Sequence, residues 1–126
     1  MENKRVLLVD DESGFTRLLK LTLEQKGGYT VLEENDGSRA HHTARHFRPH
    51  IIFLDIVMPK VDGGDVAQQI KGDPLLKDTV IVFLTAIVSN KEASSHGKEF
   101  GGFPFLAKPV SIDSVIECIE NHVQNV

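Results

Sequence analysis

Short runs of β-branched and large apolar residues, at 6–9, 30–33, 51–54 and 80–84, recur along the chain, with 103–107 as a weaker fifth. Runs of this length and make-up suit strands buried on both faces. Stretches with helical periodicity separate them. Phe15, Leu18, Leu19 and Leu23 share one face, and Ile112, Val115, Ile116, Ile119 and Val123 share another. Both faces are read as covering a sheet. Gly27 and Gly28 suit the end of the first helix, Ser111 suits an N-cap, and Asp113 falls favourably in the first turn after it. Segments 38–47 and 64–71 read as further helices. The stretch 89–102 fits worst, because Ser94, Ser95, Gly97, Gly101 and Gly102 all weaken a helix, so a short or mobile fourth helix is expected there. Five strand–helix units in this order require right-handed crossovers and therefore a parallel sheet with helices on both faces, an α/β fold.

A length of 126 residues fits one domain, taken as 1–126, and 40% hydrophobic with 25% charged residues is an ordinary globular composition. The net charge of -4 and the absence of a basic stripe argue against direct nucleic-acid binding. The longest apolar stretch, 80–88, is about half of what a membrane span needs, and the run 6–9 is too short for a secretory signal. The single cysteine, Cys118, has no disulfide partner and is read as a small buried apolar side chain, with no Cys or His at zinc-ligand spacing. A cytoplasmic protein is expected. His42 and His46 lie one helical turn apart but have no third ligand in view and are left unassigned.

Ligands of open parallel sheets bind beyond the carboxyl ends of the strands. Asp10 and Asp11 follow the first run, Glu33 and Glu34 close the second, Asp55 ends the third, Thr85 ends the fourth, and Lys108 follows the fifth. Singly, each has an ordinary explanation as a cap or turn residue. Together, three carboxylates repel one another unless protons or a cation neutralise them, and hard oxygen ligands without His or Cys suit Mg²⁺. A carboxylate beside such a cation can attack a phosphoryl group while Lys and Thr hold its oxygens, which makes Asp55 the candidate nucleophile.

Val9-Asp10-Asp11, Leu54-Asp55-Ile56-Val57-Met58-Pro59 with Asp62-Gly63, Thr85-Ala86 and Lys108-Pro109 resemble, in order and spacing, the receiver domain of two-component response regulators, in particular the stand-alone chemotaxis-regulator type. The likeness covers essentially the whole chain. It implies a flavodoxin-like three-layer sandwich around a five-stranded parallel sheet of order 2-1-3-4-5. It also implies Mg²⁺-dependent phosphorylation by a sensor histidine kinase or phosphotransfer protein. Carried over by position, Asp55 is the phosphoacceptor. Asp11, Asp55 and the backbone carbonyl of Val57 ligate Mg²⁺, and Asp10 acts mainly through water. Lys108 pairs with the phosphoryl group. Thr85 and Phe105 form the switch, Thr85 moving toward the phosphoryl oxygen and Phe105 rotating inward behind it. The likeness further implies a cis Lys108-Pro109 bond, and Gly63 is read as a positive-φ residue before the third helix.

Phe105 lacks the hydroxyl of the tyrosine often found at the switch position, so packing alone governs it. Pro104, without an amide donor, places the last strand at the sheet margin. Val57 and Ile87 are apolar where a polar side chain could orient an attacking water, so slow self-dephosphorylation is expected. An aspartyl-nucleophile phosphatase would need a second Asp two residues after Asp55, where Val57 stands. A flavodoxin-type cofactor carrier would place a flavin phosphate against Asp10, Asp11 and Glu12, which repel it. A non-phosphorylated interaction module would lack the acceptor, the acid pair or the lysine, and none is missing. With little chain after the last helix, the expected protein has no attached effector domain, is a monomer or weak dimer, and signals by docking to a downstream protein target.

Overall fold

The computed structural model describes residues 2–86, 99–100 and 102–123. Its strands are β1 (Lys4–Val9), β2 (Tyr29–Glu34), β3 (Ile51–Asp55), β4 (Val57–Met58), β5 (Val61–Asp62), β6 (Val80–Thr85), β7 (Glu99–Phe100) and β8 (Phe103–Ala107). The α-helices among the described residues are α1 (Ser13–Lys26), α2 (Ala40–Phe47), α3 (Gly63–Lys71) and α4 (Ile112–His122). The main sheet has the order β2-β1-β3-β6-β8-β7, and its first five members run parallel. Numbered by parallel strands alone, this is the expected order 2-1-3-4-5.

The two-residue period of the strands sorts their side chains into two cores. Leu7, Val9, Ile52, Leu54, Ile81 and Phe83 point to one side, where they pack with Ala40 and Ala44 of α2 and Val66, Ala67 and Ile70 of α3. Val6, Leu8, Ile51, Phe53, Val82 and Leu84 point to the other, against Leu19 and Leu23 of α1 and Val115, Cys118 and Ile119 of α4. A sheet buried on both faces accounts for the unbroken apolar runs in the sequence.

Several expectations at the helix ends hold. Gly27 and Gly28 adopt φ of 86° and 93° after α1, and the Ser111 side chain accepts a hydrogen bond from the Ser114 amide at 3.1 Å. The Lys108-Pro109 bond is cis.

Others do not. Leu18 is 69% exposed, so it belongs to the outer face of α1 and only Phe15, Leu19 and Leu23 turn toward the sheet. The last parallel strand is not the margin either, because β7 pairs antiparallel with it, Glu99 opposite Pro104 and Phe100 opposite Phe103. Pro104 lies before the stretch of β8 that pairs with β6, which begins at Phe105, so its missing amide is not needed there. Gly63 does not have a positive φ. A Cβ on it would stand 2.4 Å from the Asp55 carbonyl oxygen and 2.7 Å from Ile56 Cα, so glycine is required there for close approach. The positive φ in this loop, 64°, belongs to Lys60, in the turn of the β4–β5 hairpin. The fourth helix expected within 89–102 lies outside the described residues, apart from β7 and Gly102. Ile87 also lies outside them.

Candidate functional site

Parallel register brings the strand ends together. Val9 lies opposite Leu54, so Asp10 and Asp55 follow side by side. Asp55 lies opposite Leu84, which precedes Thr85. Thr85 lies opposite Ala107, which precedes Lys108. Residues far apart in sequence thus line one rim of the sheet, and the Lys108 amide donates to the Thr85 carbonyl at 2.9 Å.

Asp10, Asp11 and Asp55 each offer a carboxylate oxygen, all within 4.8 Å of one another, the one such cluster among the described residues. Asp10 is fully buried, Asp55 nearly so, and Asp11 is exposed, as expected of a turn leaving a buried strand. Both oxygens of Asp10 are engaged: Oδ1 accepts from the Glu12 amide at 2.9 Å, and Oδ2 from Lys108 Nζ at 2.6 Å. Asp55 Oδ1 accepts a longer bond, 3.3 Å, from the amide of Val57, whose side chain is exposed.

Burial, reinforced by the charge of Asp10 and opposed by Lys108, pushes the Asp55 carboxyl up to about 6. For Lys108, burial works against the ammonium, but hydrogen bonds to Asp10 and Glu12 and the charges of Asp10 and Asp55 outweigh it and raise its pKa. Three converging carboxylates without His or Cys, one of them pushed toward protonation, fit a hard divalent cation such as Mg²⁺.

Thr85 is buried at the end of β6. Phe105 is only 6% exposed, and its ring packs in the core that contains Phe83 and against which Phe103 packs. A phenyl ring has no hydroxyl to keep in water, which favours burial. Glu33 and Glu34 do not join the cluster. Glu33 accepts from Thr16 Oγ1 at 2.7 Å and Arg17 Nε at 3.0 Å, and Glu34 accepts from Thr43 Oγ1 at 2.6 Å.

Two neighbours of Lys108 were not visible in the sequence: the Glu12 carboxylate at 3.1 Å, and the Phe15 ring, whose centroid is 4.9 Å from Nζ. Asn35 was likewise missed; its Nδ2 donates to the Asp10 carbonyl at 2.7 Å and so steadies the acidic turn from behind. Cys118 is buried, as read from the sequence, but a histidine does stand four residues on: His122 Nδ1 lies 2.8 Å from the Cys118 carbonyl oxygen and 3.6 Å from Sγ. The i,i+4 spacing was the signal. His42 and His46 stack edge to face, with centroids 4.5 Å apart, on the exposed side of α2.

An open parallel sheet with an acid cluster, a hydroxyl and an ammonium at its carboxyl rim defines a doubly wound α/β protein whose three acids could hold a metal ion. The profile of the response regulator receiver domain matches residues 6–120, and the chain belongs to that family. Among its relatives, the alkaline phosphatase synthesis transcriptional regulatory protein PhoP of Bacillus subtilis is 36% identical over 110 residues, covering 86% of this chain and 44% of that protein. The response regulator PleD of Caulobacter vibrioides is 38% identical over 108 residues, covering 84% of this chain and 23% of PleD. The chain spans less than half the length of these curated relatives. Among solved structures, the chemotaxis protein CheY4 of Vibrio cholerae superposes with a TM-score of 0.79 at 28% identity, covering 95% of this chain and 98% of that one. A response regulator from Chloroflexus aurantiacus gives 0.81 at 27% identity, covering 97% and 98%.

Proposed function

We propose that residues 1–126 form one receiver domain that takes a phosphoryl group onto Asp55 from a sensor histidine kinase or phosphotransfer protein. The observation that carries this is the convergence of Asp10, Asp11, Asp55 and Lys108, with Lys108 Nζ 3.9 Å from Asp55 Oδ2. In the transfer, an Asp55 carboxylate oxygen attacks phosphorus and the P–N bond of a phosphohistidine breaks. Its electron pair leaves on the imidazole nitrogen, and an acyl phosphate forms on Asp55. Asp11, Asp55 and the Val57 carbonyl would hold Mg²⁺, with Asp10 beside them, and the cation supplies charge neutralisation for the phosphoryl oxygens. Lys108 binds a phosphoryl oxygen, and Thr85 donates to another.

Leu18 and Leu21 are 69% and 56% exposed on α1, the helix that begins two residues after Asp11. Two exposed leucines on this helix support docking of the donor protein on α1. The new charge on Asp55 biases a two-state equilibrium through Thr85 and β8, where Phe105 is buried, and the altered surface is read by a downstream protein target. The domain is thus a signalling acceptor that works in the cytoplasm as a monomer or weak dimer. No described helix is long and apolar enough to cross a membrane.

Incubation with acetyl phosphate and Mg²⁺, followed by intact-mass measurement, tests the assignment. One added phosphoryl group on the wild type and none on Asp55→Asn is the expected result. Equal labelling of both would place the acceptor elsewhere.

A further inference from the structure

The Lys108 ammonium has three protons to donate, and the resting protein directs two of them away from Asp55. One goes to Asp10 Oδ2 at 2.6 Å and one to Glu12 Oε1 at 3.1 Å, while Asp55 Oδ2, at 3.9 Å, is beyond hydrogen-bond reach. The Phe15 ring lies 4.9 Å from the same nitrogen and adds a cation–π attraction toward α1.

Glu12 is held where it can do this. Its amide donates to Asp10 Oδ1 at 2.9 Å, and its carbonyl accepts from the amides of Phe15 and Thr16, both at 3.1 Å. It occupies the N-cap position of α1, yet its side chain makes no capping bond. Ser, Thr, Asp or Asn would serve that position better. A residue that breaks a local rule next to a functional group is expected to have another task. Here the longer side chain reaches Lys108.

We propose that Glu12 is a positioning residue that tethers the Lys108 ammonium on the α1 side of the site, so that an incoming phosphoryl group must draw the ammonium off Glu12. This rests on the phosphoacceptor reading of Asp55. The tether is an ion pair with one partner largely in water: the Lys108 side chain is 14% exposed and that of Glu12 66%. It therefore tunes the site and does not lock it.

The test is titration of the resting protein with Mg²⁺ and beryllofluoride, a non-reacting mimic of the acyl phosphate, followed by amide NMR. Glu12→Gln should tighten binding about two- to fivefold at low salt, the range an exposed ion pair allows. Glu12→Asp keeps the charge but stops one methylene short of the ammonium, and should tighten binding in the same way. The difference from wild type should shrink near 1 M salt, where the screening length is about 3 Å. Several outcomes would overturn the tether. Unchanged binding in Glu12→Gln is one, and wild-type behaviour of Glu12→Asp, which would reduce Glu12 to a general field, is another. A gap that persists unchanged at high salt would count the same way. A wild type that binds no beryllofluoride with Mg²⁺ would instead overturn the phosphoacceptor reading, and the tether with it.

Discussion

Gly63 sits directly over the backbone that carries Asp55, its amide bonded to the Ile56 carbonyl at 2.9 Å. Because a Cβ there would meet the Asp55 carbonyl oxygen and Ile56 Cα, both main-chain atoms, no side chain can swing aside to relieve the contact. Gly63→Ala is expected to cost about 1 to 3 kcal/mol, in line with other overpacked sites, and to slow labelling of Asp55 by acetyl phosphate. Thermal denaturation and intact mass check both. An unchanged melting temperature would mean that the β3–α3 loop gives way easily. The sequence showed that a glycine follows Asp62 but not why, because the need arises from a backbone eight residues upstream. Glu12 was equally opaque: in the sequence it is one more acid after an acidic pair, and only the position of Lys108, 96 residues on, sets it apart.

Among the elements, α1 departs most from its periodicity. Four apolar residues at helical spacing suggested one buried stripe, but the sheet covers Leu19 and Leu23 fully, Phe15 in part, and leaves Leu18 to solvent. Leu18→Lys should therefore change stability by no more than about 0.5 kcal/mol, as for other surface substitutions. It should slow transfer from a phosphohistidine donor while leaving acetyl phosphate labelling unchanged; equal slowing of both reactions would remove α1 from donor docking. A second element-scale feature ties α2 to the segment after α3. Asp73 accepts from His41 Nε2 at 2.8 Å and from the Leu75 amide at 2.9 Å, with Arg45 Nε at 3.3 Å. The His41 hydrogen bond, then the Leu75 amide and the Arg45 charge, hold the Asp73 carboxyl below its ordinary 3.8. A lowered acid contributes stability that is present above its unfolded pKa and lost as pH falls through the folded one. Asp73→Asn should thus melt below wild type at pH 7, with the gap closing in acid below the ordinary 3.8. A gap independent of pH would mean that the carboxylate charge is not what ties the two segments.

For the whole molecule, convergence of the acids is the property that matters, and a ligand bound only by the folded state reports it. At free Mg²⁺ a hundredfold above its dissociation constant, the wild type should gain about 2.7 kcal/mol, read as a rise in melting temperature. Asp11→Asn and Asp55→Asn should lose most of that rise, and a rise retained in both would place the cation away from this rim. The strand–helix alternation, the parallel sheet and the identity of the rim residues could all be read from the chain, because burial on both faces leaves an unbroken apolar run and the strands end where polar residues begin. Those are local signals, written in neighbouring residues. What needed the folded molecule was the β7 strand beyond β8, the outward face of Leu18, the buried ring of Phe105 and the neighbours of Lys108. Each depends on which surface another element happens to cover, and that is decided by packing between segments distant in sequence, which no periodicity within a single segment records.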